Sequence, residues 1–357
     1  MARVLVAMSG GVDSSVAAAI LKEQGHEVIG VTMQVWDYTQ DECNVEEGNG
    51  TCCSSIDVDD ARAVADHLDI PFYVMNCETE FKAKVIDNFV DTYLKGDTPI
   101  PCVNCNTYLK FDHLIKKMEE LNCDYIATGH YAQVIDGQIH TSCDDWKDQT
   151  YFLFTLQPEL LGRIMFPVGD WKKPELRKYA EEKGLPVFNK KDSVGICFIG
   201  KKGYQGFIEE HADPAKLKPG VIKHIETGEE IARHTGVHRF TIGQRKGVGI
   251  ATGDPAYVVK IEPQTGTVYV GSEKHLLSSE AYVRDINALD DIEEGETLTV
   301  KIRYSHRGSQ AKVRTADNGL KRLEFIEPQR AVTTGQAAVF YRGAQLIGGG
   351  WITQCPN

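Results

Sequence analysis

The chain has 357 residues, of which 42% are hydrophobic and 25% charged, with a net charge of −12 and ten cysteines. This length predicts two or three domains, and the composition is typical of a soluble globular protein. The acidic balance excludes a protein that coats nucleic acid nonspecifically, although a local basic surface is compatible with it. We find no signal-peptide pattern and no membrane-spanning stretch, so we expect a cytoplasmic protein without a membrane partner.

The N-terminal region alternates strand-like and helical patterns. Apolar runs at 4–8, 27–35, 71–77 and 124–130 predict strands, and residues 57–69 predict a helix with one apolar face. This alternation predicts an α/β fold with a doubly wound, Rossmann-like parallel sheet, whose ligands bind at the carboxyl ends of the strands. Three segments fall at those ends, namely 9–15, Met33 and Gly129–His130.

The segment "SGGVDSS" (9–15) follows the first predicted strand. Gly10 and Gly11 let the backbone curl so that successive N–H groups point at an anion, and the helix that begins near Asp13 adds its positive dipole end. The alternative is an ordinary glycine-rich turn. The segment lacks the Walker A pattern. It resembles instead the PP-loop, SGGxDS, of enzymes that split ATP into AMP and pyrophosphate.

Three cysteines are candidates for sulfur chemistry. Cys102 and Cys105 lie in "TPIPCVNCNTY" (98–108), which its two prolines are expected to keep from being helical. The pair alone is compatible with a disulfide, half a metal site, a redox dithiol or a nucleophile. Cys197 lies in "NKKDSVGICFIGKKG", where it is either an inert buried thiol or a reactive one. Flanking glycines and the lysines at 190, 191, 201 and 202 favour a mobile loop in a positive field, which would lower the thiol pKa from about 8.5.

The other cysteines are predicted to be small buried or loop thiols. They are Cys43, Cys52, Cys53, Cys77, Cys123, Cys143 and Cys355. A reducing compartment argues against a disulfide framework among them.

Motifs along the whole chain resemble those of the tRNA-specific 2-thiouridylase family (MnmA). They are "AMSGGVDSSV", "TPIPCVNCN", "ATGHYA", "KDQTYFL", "FPVGDWKKPELR", "KDSVGICFIG", "HRFTIGQRKGVGI", "VKIRYSH" and "AVTTGQAAVFY". The resemblance implies ATP-dependent replacement of oxygen by sulfur at C2 of the wobble uridine, U34, of tRNAs for lysine, glutamate and glutamine. It implies ATP and Mg as cofactors, and a cysteine desulfurase or a relay protein as sulfur donor.

The resemblance also implies site residues. Cys197 would receive a persulfide, and Cys105 would attack its inner sulfur, leaving a disulfide and releasing sulfur to an adenylated uridine. The positions that match ATP contacts are Ala7, Met8, Ser9, Gly10, Gly11, Val12, Asp13, Ser14, Met33 and Gly129. Those that match tRNA contacts are His130, Lys147, Asp148, Gln149, Arg303, Tyr304 and Gln336.

Cys102 is a departure from the family pattern, in which many members have Asp three residues before the first catalytic cysteine. It adds a third thiol beside Cys105 and Cys197. Three cysteines could instead ligate a 4Fe-4S cluster with one open iron, or zinc. The sequence therefore leaves a persulfide route and a cluster route open.

The C-terminal part is predicted to be β structure that contacts RNA. The resemblance implies an ATP-binding domain at 1–203, a small central domain at 204–275 and a terminal β-barrel at 276–357. Residues 257–271 predict a hairpin. In "TLTVKIRY" (297–304), Leu298, Val300, Ile302 and Tyr304 alternate with polar residues, and "AKVRTA" repeats the pattern, so two strands are expected to expose basic rows. These rows are either the ordinary solvated face of the strands or contacts to phosphate.

Two basic segments have weaker interpretations. The glycine-rich segment "TIGQRKGVGI" (241–250) is either a flexible loop or an RNA contact. The helix predicted to start at Pro174 is either solvated or a phosphate-contacting patch, with positive charge from Lys172, Lys173, Arg177 and Lys178.

Two other functions compete with thiolation. They are another PP-loop ligase or amidotransferase acting on tRNA, and a noncatalytic RNA-binding or metal-storage protein.

Overall fold

The computed structural model describes residues 1–35, 55–193, 195–250 and 255–354. They form two compact units. The first comprises Met1–Val85, Pro101–Lys201 and Ala344–Leu346, and the second comprises Ile86–Ile100, Lys202–Gly343 and the C-terminal residues from Ile347. None of the helices in these ranges combines the length and the apolar character that a membrane span requires.

The first unit is built on a five-stranded parallel sheet. Its strands are β1 (Arg3–Ala7), β2 (Glu27–Gln34), β3 (Phe72–Asn76), β4 (Tyr125–Thr128) and β7 (Ile164–Met165), in the order β3-β2-β1-β4-β7. The apolar runs of β1, β2 and β4 form buried strands because both faces of the sheet are covered there, whereas the edge strand β3 is more exposed. A hairpin of β5 (Ala132–Ile135) and β6 (Gln138–Thr141) follows β4. The predicted doubly wound sheet is confirmed.

Helices pack on both faces of this sheet. On one face lie α1 (Val12–Glu23), α2 (Ser55–His67) and α7 (Lys173–Glu182), and on the other lies α6 (Asp112–Glu120). The apolar positions predicted for 57–69 line the buried side of α2, where Ala61, Val64 and Ala65 are fully buried. Short helical segments complete the unit, namely α3 (Glu78–Phe81), 3-10 turns at Thr150–Phe152 and Pro158–Arg163, and π-helical turns at Lys82–Ile86 and Cys105–Phe111.

The prediction that residues 98–108 are not helical is wrong. Residues Pro101–Asn104 form α5, which continues through the π-helical turn Cys105–Phe111 into α6. Pro101 is the first residue of this helix, a position where proline is tolerated because the N–H that it lacks would have no partner within the helix. Cys102 and Cys105 therefore lie on consecutive turns of one helical segment.

The second unit contains a four-stranded sheet of β8 (Gly220–His224), β9 (Glu230–His234), β10 (Tyr257–Glu262) and β11 (Thr267–Gly271). Its order is β10-β11-β8-β9, and the antiparallel pair β10–β11 confirms the predicted hairpin. This unit also contains α4 (Asp87–Leu94), α8 (Gly203–His211) and 3-10 turns at Pro214–Lys216 and Val237–Arg239.

The C-terminal strands close into a barrel. They are β12 (Leu277–Ala288), β13 (Thr297–Lys301), β14 (Ser309–Thr315), β15 (Lys321–Arg330), β16 (Ala337–Arg342) and β17 (Gln345–Thr353). They follow the order β12-β15-β14-β13-β16-β17, and β17 pairs with β12, which confirms the predicted barrel. Further 3-10 turns span Glu273–Leu276 and Asp317–Gly319.

The predicted alternation near β13 is confirmed for three of its four apolar positions. Leu298, Val300 and Ile302 are buried in the barrel core, where Leu298 and Val300 alternate with the half-buried Thr299 and Lys301. Tyr304, however, is 43% exposed. It lies beyond the last residue of β13, where the alternation of the strand no longer sets the direction of a side chain.

Candidate active site

The PP-loop has a backbone shape that only glycine permits at one position. Gly10 has a φ of +68°, and a Cβ there would lie 2.2 Å from the Asp57 carbonyl oxygen. The Ser14 hydroxyl stabilises the loop, since it accepts a hydrogen bond from the Ser9 amide (3.1 Å) and donates to the Gly11 carbonyl (3.2 Å). The segment therefore has a fixed form before any ligand binds, with the N-terminus of α1 behind it.

The neighbouring strand end packs directly against this loop. A Cβ on Gly129, just after β4, would lie 2.5 Å from the Ser14 backbone nitrogen and 2.8 Å from the Asp13 carbonyl carbon. Met33 is buried near the end of β2, 7% exposed. The loop and Gly129 are more than a hundred residues apart in the sequence. The structure thus brings these two predicted ATP-binding segments into contact at one edge of the sheet.

Asp13 lies in a cluster of polar side chains. Its Oδ1 accepts hydrogen bonds from the Lys173 ammonium (2.6 Å) and from the Tyr131 hydroxyl (3.0 Å). Lys173 is only 8% exposed, so its charge is compensated inside the protein. The predicted phosphate-contacting or solvated patch on α7 is therefore wrong for Lys173, whose side chain binds the PP-loop aspartate.

Lys190 joins the segment that precedes Cys197 to the PP-loop. Its ammonium donates to the Gly10 carbonyl (3.1 Å) and to the carboxylates of Asp57 (2.7 Å) and Asp60 (2.5 Å). Burial lowers the pKa of Lys190, but the hydrogen bonds to the two carboxylates outweigh it and raise the pKa overall. The positive field predicted around Cys197 is accordingly reduced, since Asp57 and Asp60 neutralise this lysine.

Asp192 accepts hydrogen bonds from three cationic side chains. Its carboxylate lies 2.6 Å from the Lys147 ammonium, 2.9 Å from that of Lys173 and 2.5 Å from the Arg177 guanidinium. Burial raises the pKa of Asp192, but hydrogen bonds from Lys147 and Lys173 prevail and lower it to about 2. Asp192 is therefore a carboxylate at every physiological pH.

Cys105 begins the π-helical turn that ends at Phe111. Such turns are rare and occur often at functional sites. Cys102 is exposed, and Cys105 is half-buried. The next side chain, Asn106, is 3% exposed, and its amide nitrogen donates to the Phe152 carbonyl (3.2 Å) while its Oδ1 has no hydrogen-bond partner.

Cys197 lies in the same unit as Cys102 and Cys105, and its side chain is half-buried. The adjacent Phe198 packs edge-on against Phe81, with ring centroids 5.7 Å apart. Phe81 ends α3, which in turn packs against the turn that begins at Cys105. The Cys197 segment therefore contacts a helix that also contacts the Cys105 turn.

The three cysteines do not form a preassembled ligand set. In the part of the chain that the structure describes, no group of three His, Cys, Asp or Glu side chains is placed to bind a metal ion. As arranged here, Cys102, Cys105 and Cys197 thus do not fit a 4Fe-4S cluster or a zinc ion.

Burial raises the thiol pKa of the remaining described cysteines, which makes each less reactive than a free thiol. Cys77 is 1% exposed, and burial, with the nearby Glu80, raises its pKa to about 11. Burial also raises the pKa of Cys123 and of the exposed Cys143. Cys43, Cys52, Cys53 and Cys355 lie outside the described residues, as does the segment 36–54.

Three of the predicted tRNA contacts in the first unit, His130, Asp148 and Gln149, form hydrogen bonds within the protein. His130 is buried between Phe111 and Phe166, with Nδ1 2.7 Å from the Thr128 hydroxyl, and burial lowers its pKa well below its usual value. Asp148 accepts from the Thr150 hydroxyl (2.9 Å). The Gln149 side chain accepts from the Tyr131 amide (3.0 Å). These contacts stabilise the loop that contains Lys147.

Three further predicted contacts lie in the second unit. The Arg303 guanidinium donates to the Arg330 carbonyl (3.1 Å), and Tyr304 is exposed. The Gln336 amide donates to the Thr98 carbonyl (3.1 Å), within the same unit. Their side chains have different environments, because Gln336 is engaged with the backbone and Tyr304 faces solvent.

The basic residues of β14 and of its neighbour β15 are compensated by acidic residues. Arg314 of β14 donates to Glu324 of β15 (2.8 Å), and Lys312 is directly opposite Glu324 in the ladder. Arg322 binds Glu280 across the next pair of strands (2.8 Å). The basic row of β14 is therefore paired within the barrel, because cross-strand pairing places carboxylates beside its cations.

Comparison with known proteins covers nearly the whole chain. Residues 2–201 match the family described as "tRNA methyl transferase HUP domain", residues 205–272 its "PRC-barrel domain", and residues 278–352 the "Aminomethyltransferase beta-barrel domain". Among solved structures, a 4-thiouridine synthetase–RNA complex with bound ATP matches with a TM-score of 0.35 and 16% identity, over 58% of this chain and 50% of that chain.

Sequence relatives are much closer. The tRNA-specific 2-thiouridylase MnmA of Clostridium perfringens is 48% identical over 98% of both chains. The proteins of the same name from Lachnoclostridium phytofermentans and Rickettsia typhi are 47% and 45% identical over 99% of both chains. The chain belongs to the tRNA-specific 2-thiouridylase (MnmA) family.

Proposed function

We propose that this protein catalyses ATP-dependent 2-thiolation of the wobble uridine U34 of tRNA, with lysine, glutamate and glutamine tRNAs as expected substrates. The observation that carries the proposal is the contact between Gly129 and the PP-loop in a chain that is 48% identical to a 2-thiouridylase over 98% of its length. We further propose a catalytic domain at 1–203, a central domain at 204–275 and a barrel at 276–357.

In the activation step, the uridine O2 attacks the α-phosphorus of ATP, and pyrophosphate leaves. The C2–O bond is then activated, because AMP is a much better leaving group than an oxide. Backbone N–H groups of residues 9–14 and the dipole of α1 are suited to bind the phosphates. Mg²⁺ would enter with the ATP phosphates, whose oxygens are ligands of the type that this ion prefers.

In the sulfur step, a persulfide on Cys197 supplies the sulfur. The Cys105 thiolate attacks the Cys197 Sγ, the S–S bond of the persulfide breaks, and hydrosulfide leaves as a Cys105–Cys197 disulfide forms. Hydrosulfide attacks C2 of the adenylated uridine, the C2–O bond breaks, AMP departs with the electron pair, and the sulfur loses its proton to solvent. A thiol reductant then supplies two electrons to restore both cysteines.

The persulfide must come from another protein, because nothing in the reaction of ATP with tRNA generates sulfur of this oxidation state. A cysteine desulfurase, or a relay protein loaded by one, provides a persulfide of the required type. The position of Phe198 against Phe81, on a helix that packs on the Cys105 turn, supports joint action of the two cysteines.

The tRNA would bind through residues of both units. His130 and the segment Lys147–Gln149 are the candidates in the first unit, and Arg303, Tyr304 and Gln336 are those in the second. His130 is 8% exposed, so only a small part of this residue is accessible to RNA. Exposed Tyr304 offers an aromatic face for stacking.

Reconstitution with unmodified tRNA, ATP and a persulfide donor tests the proposal. We expect mass spectrometry to show replacement of one oxygen by sulfur in the tRNA, together with AMP and pyrophosphate. Cys197→Ser and Cys105→Ser should abolish persulfide-dependent product, whereas Cys143→Ser, at an exposed position, should retain it. Full thiolation by Cys197→Ser would refute the role of that residue.

Two controls separate the competing functions. A PP-loop amidotransferase would use ammonium as its nitrogen source. If the protein is a thiolase, ammonium in place of the sulfur donor should therefore give no modified tRNA. Iron and sulfide content, measured on the anaerobically purified protein, tests the cluster route. A colourless, metal-free and active enzyme would exclude that route, while activity that depends on iron would exclude the persulfide mechanism as written.

A further inference from the structure

The segment 188–192 leads directly to the loop that carries Cys197. Several of its atoms are bound by side chains that are distant in sequence. The Arg177 guanidinium donates to the carbonyls of Phe188 (3.1 Å) and Lys190 (2.8 Å), so α7 contacts the backbone of this segment twice. Lys190 in turn donates to the Gly10 carbonyl of the PP-loop.

Asp192 binds this segment to three cationic side chains from other parts of the chain. It is five residues before Cys197, and it is the common acceptor for Lys147, Lys173 and Arg177. Lys173 also binds Asp13 of the PP-loop (2.6 Å). One carboxylate thus connects the PP-loop, the loop of Lys147 and the segment before Cys197.

We propose that Asp192 is a positioning residue for sulfur transfer, which holds the base of the Cys197 loop beside the PP-loop so that the persulfide reaches the reaction centre. The inference rests on the proposed function. Asp192 is not among the residues for which the family resemblance implies a contact with ATP, tRNA or sulfur.

The anchors on either side of Cys197 determine the volume that its thiol can reach. Five residues of extended chain span at most about 17 Å. Phe198 packs on Phe81 on one side of Cys197, and Asp192 supplies the anchor on the other side, so the two together limit where the thiol can move. Fixing the base of the loop raises the effective concentration of the persulfide at the reaction centre.

Removal of the Asp192 charge should release this anchor. An amide at this position can accept a hydrogen bond but carries no negative charge. Lys147, Lys173 and Arg177 would then lie close together without the carboxylate that they share, which favours their separation. Arg177 would still bind the carbonyls of Phe188 and Lys190, so the segment should loosen rather than unfold.

Two sulfur donors distinguish positioning from a general structural role. The variant is Asp192→Asn, and thiolation is measured with persulfide loaded on Cys197 and, separately, with a high concentration of free sulfide, which bypasses the loop. Cys197→Ser, which should retain only the sulfide reaction, verifies the bypass. We expect the thiolation rate of Asp192→Asn to fall at least tenfold with persulfide and no more than about twofold with sulfide.

The matched control is Glu182→Gln, which removes an exposed α7 carboxylate 3.6 Å from Lys178 and should alter neither rate.

Each result has a defined meaning. Equal losses with both donors would show that Asp192 is merely structural, and equal retention would show that it is dispensable, so either overturns the inference. Wild-type protein that is inactive with both donors would contradict the proposed function instead.

A measurement independent of activity then decides about Asp192 alone. The rate at which iodoacetamide alkylates Cys197, followed by peptide mass spectrometry, should differ at least threefold between Asp192→Asn and wild type, while alkylation of Cys143 stays the same. An unchanged Cys197 rate would overturn the inference whatever the outcome with tRNA.

Discussion

Gly129 lies so close to the first turn of α1 that a Cβ on it would stand 2.5 Å from the Ser14 backbone nitrogen. The contacted atom belongs to the backbone of the PP-loop region, so no side-chain rotation can relieve the clash. Strand β4 and the loop after β1 are therefore fitted to each other at the sheet edge where ATP is proposed to bind.

Gly129→Ala should consequently damage nucleotide binding. We expect at least a tenfold weaker affinity for ATP, because the first turn of α1 must shift away from β4, and a loss of about 1–3 kcal/mol in the free energy of unfolding. Calorimetric titration with ATP and urea unfolding measure the two effects. Gly162→Ala, at a glycine with no atom within 4 Å of the added Cβ, should change neither. Unaltered ATP affinity in Gly129→Ala would argue against a nucleotide site at this edge.

His130 should make folding sensitive to acid. Burial lowers its pKa well below 6.5 in the folded protein, so below pH 6.5 only the unfolded chain takes up the proton. The stabilisation is therefore complete above that pH and is lost as the pH falls, by up to about 1.4 kcal/mol per pH unit. His130→Gln should reduce the loss in unfolding free energy between pH 7.5 and pH 5.5 by about 1 kcal/mol.

Urea unfolding at the two pH values measures this difference. Some acid sensitivity should remain in the variant, because burial also lowers the pKa of His234 and His306. His67→Gln, at an exposed position, is the matched control. An identical pH dependence in His130→Gln and wild type would contradict the prediction.

Much of the fold and part of the site could be predicted from the sequence, because they depend on local patterns. Apolar runs identified the strands β1–β4, and the position of "SGGVDSS" after the first strand located the loop at the carboxyl edge of the sheet. The helix that contains Cys102 was missed because proline was interpreted as a helix breaker, whereas Pro101 occupies the first helical position.

Ion pairs between distant residues could not be predicted. Asp13 and Lys173 are 160 residues apart in the chain, and Gly10 and Lys190 are 180 apart. Basic residues were visible in the sequence, but their partners were not, so the lysines near Cys197 were interpreted as an uncompensated positive field. Similarly, Glu324 lies beside Arg314 only because two strands pair in one particular register.

Lys190 should contribute substantially to stability. Its ammonium lies between Asp57, whose side chain is 6% exposed, and Asp60, and it also binds the Gly10 carbonyl. Lys190→Met would leave a buried carboxylate without its counter-charge, and we expect a loss of about 3 kcal/mol in the free energy of unfolding. The double variant Lys190→Met/Asp57→Asn should lose less than the sum of the single variants, because each removes the same interaction.

Thermal and urea unfolding check this prediction. The matched control is Lys178→Met, whose ammonium lies 3.6 Å from Glu182 in an exposed pair and which should change stability by less than about 1 kcal/mol. Additive effects in the double variant would show that Lys190 and Asp57 do not interact as described.

Two arginines of the second unit allow a paired test of RNA binding. The Arg303 guanidinium donates to the Arg330 backbone carbonyl, whereas Arg314 donates to the carboxylate of Glu324. A phosphate contact releases a counterion, so Arg303→Ala should weaken tRNA binding and reduce the slope of log affinity against log salt by about one unit. Arg314→Ala should leave the slope unchanged, because its charge is already compensated within the protein. Filter binding of tRNA at several salt concentrations measures both slopes, with ATP affinity as a check on folding. Equal slopes for wild type and Arg303→Ala would remove Arg303 from the tRNA-binding surface.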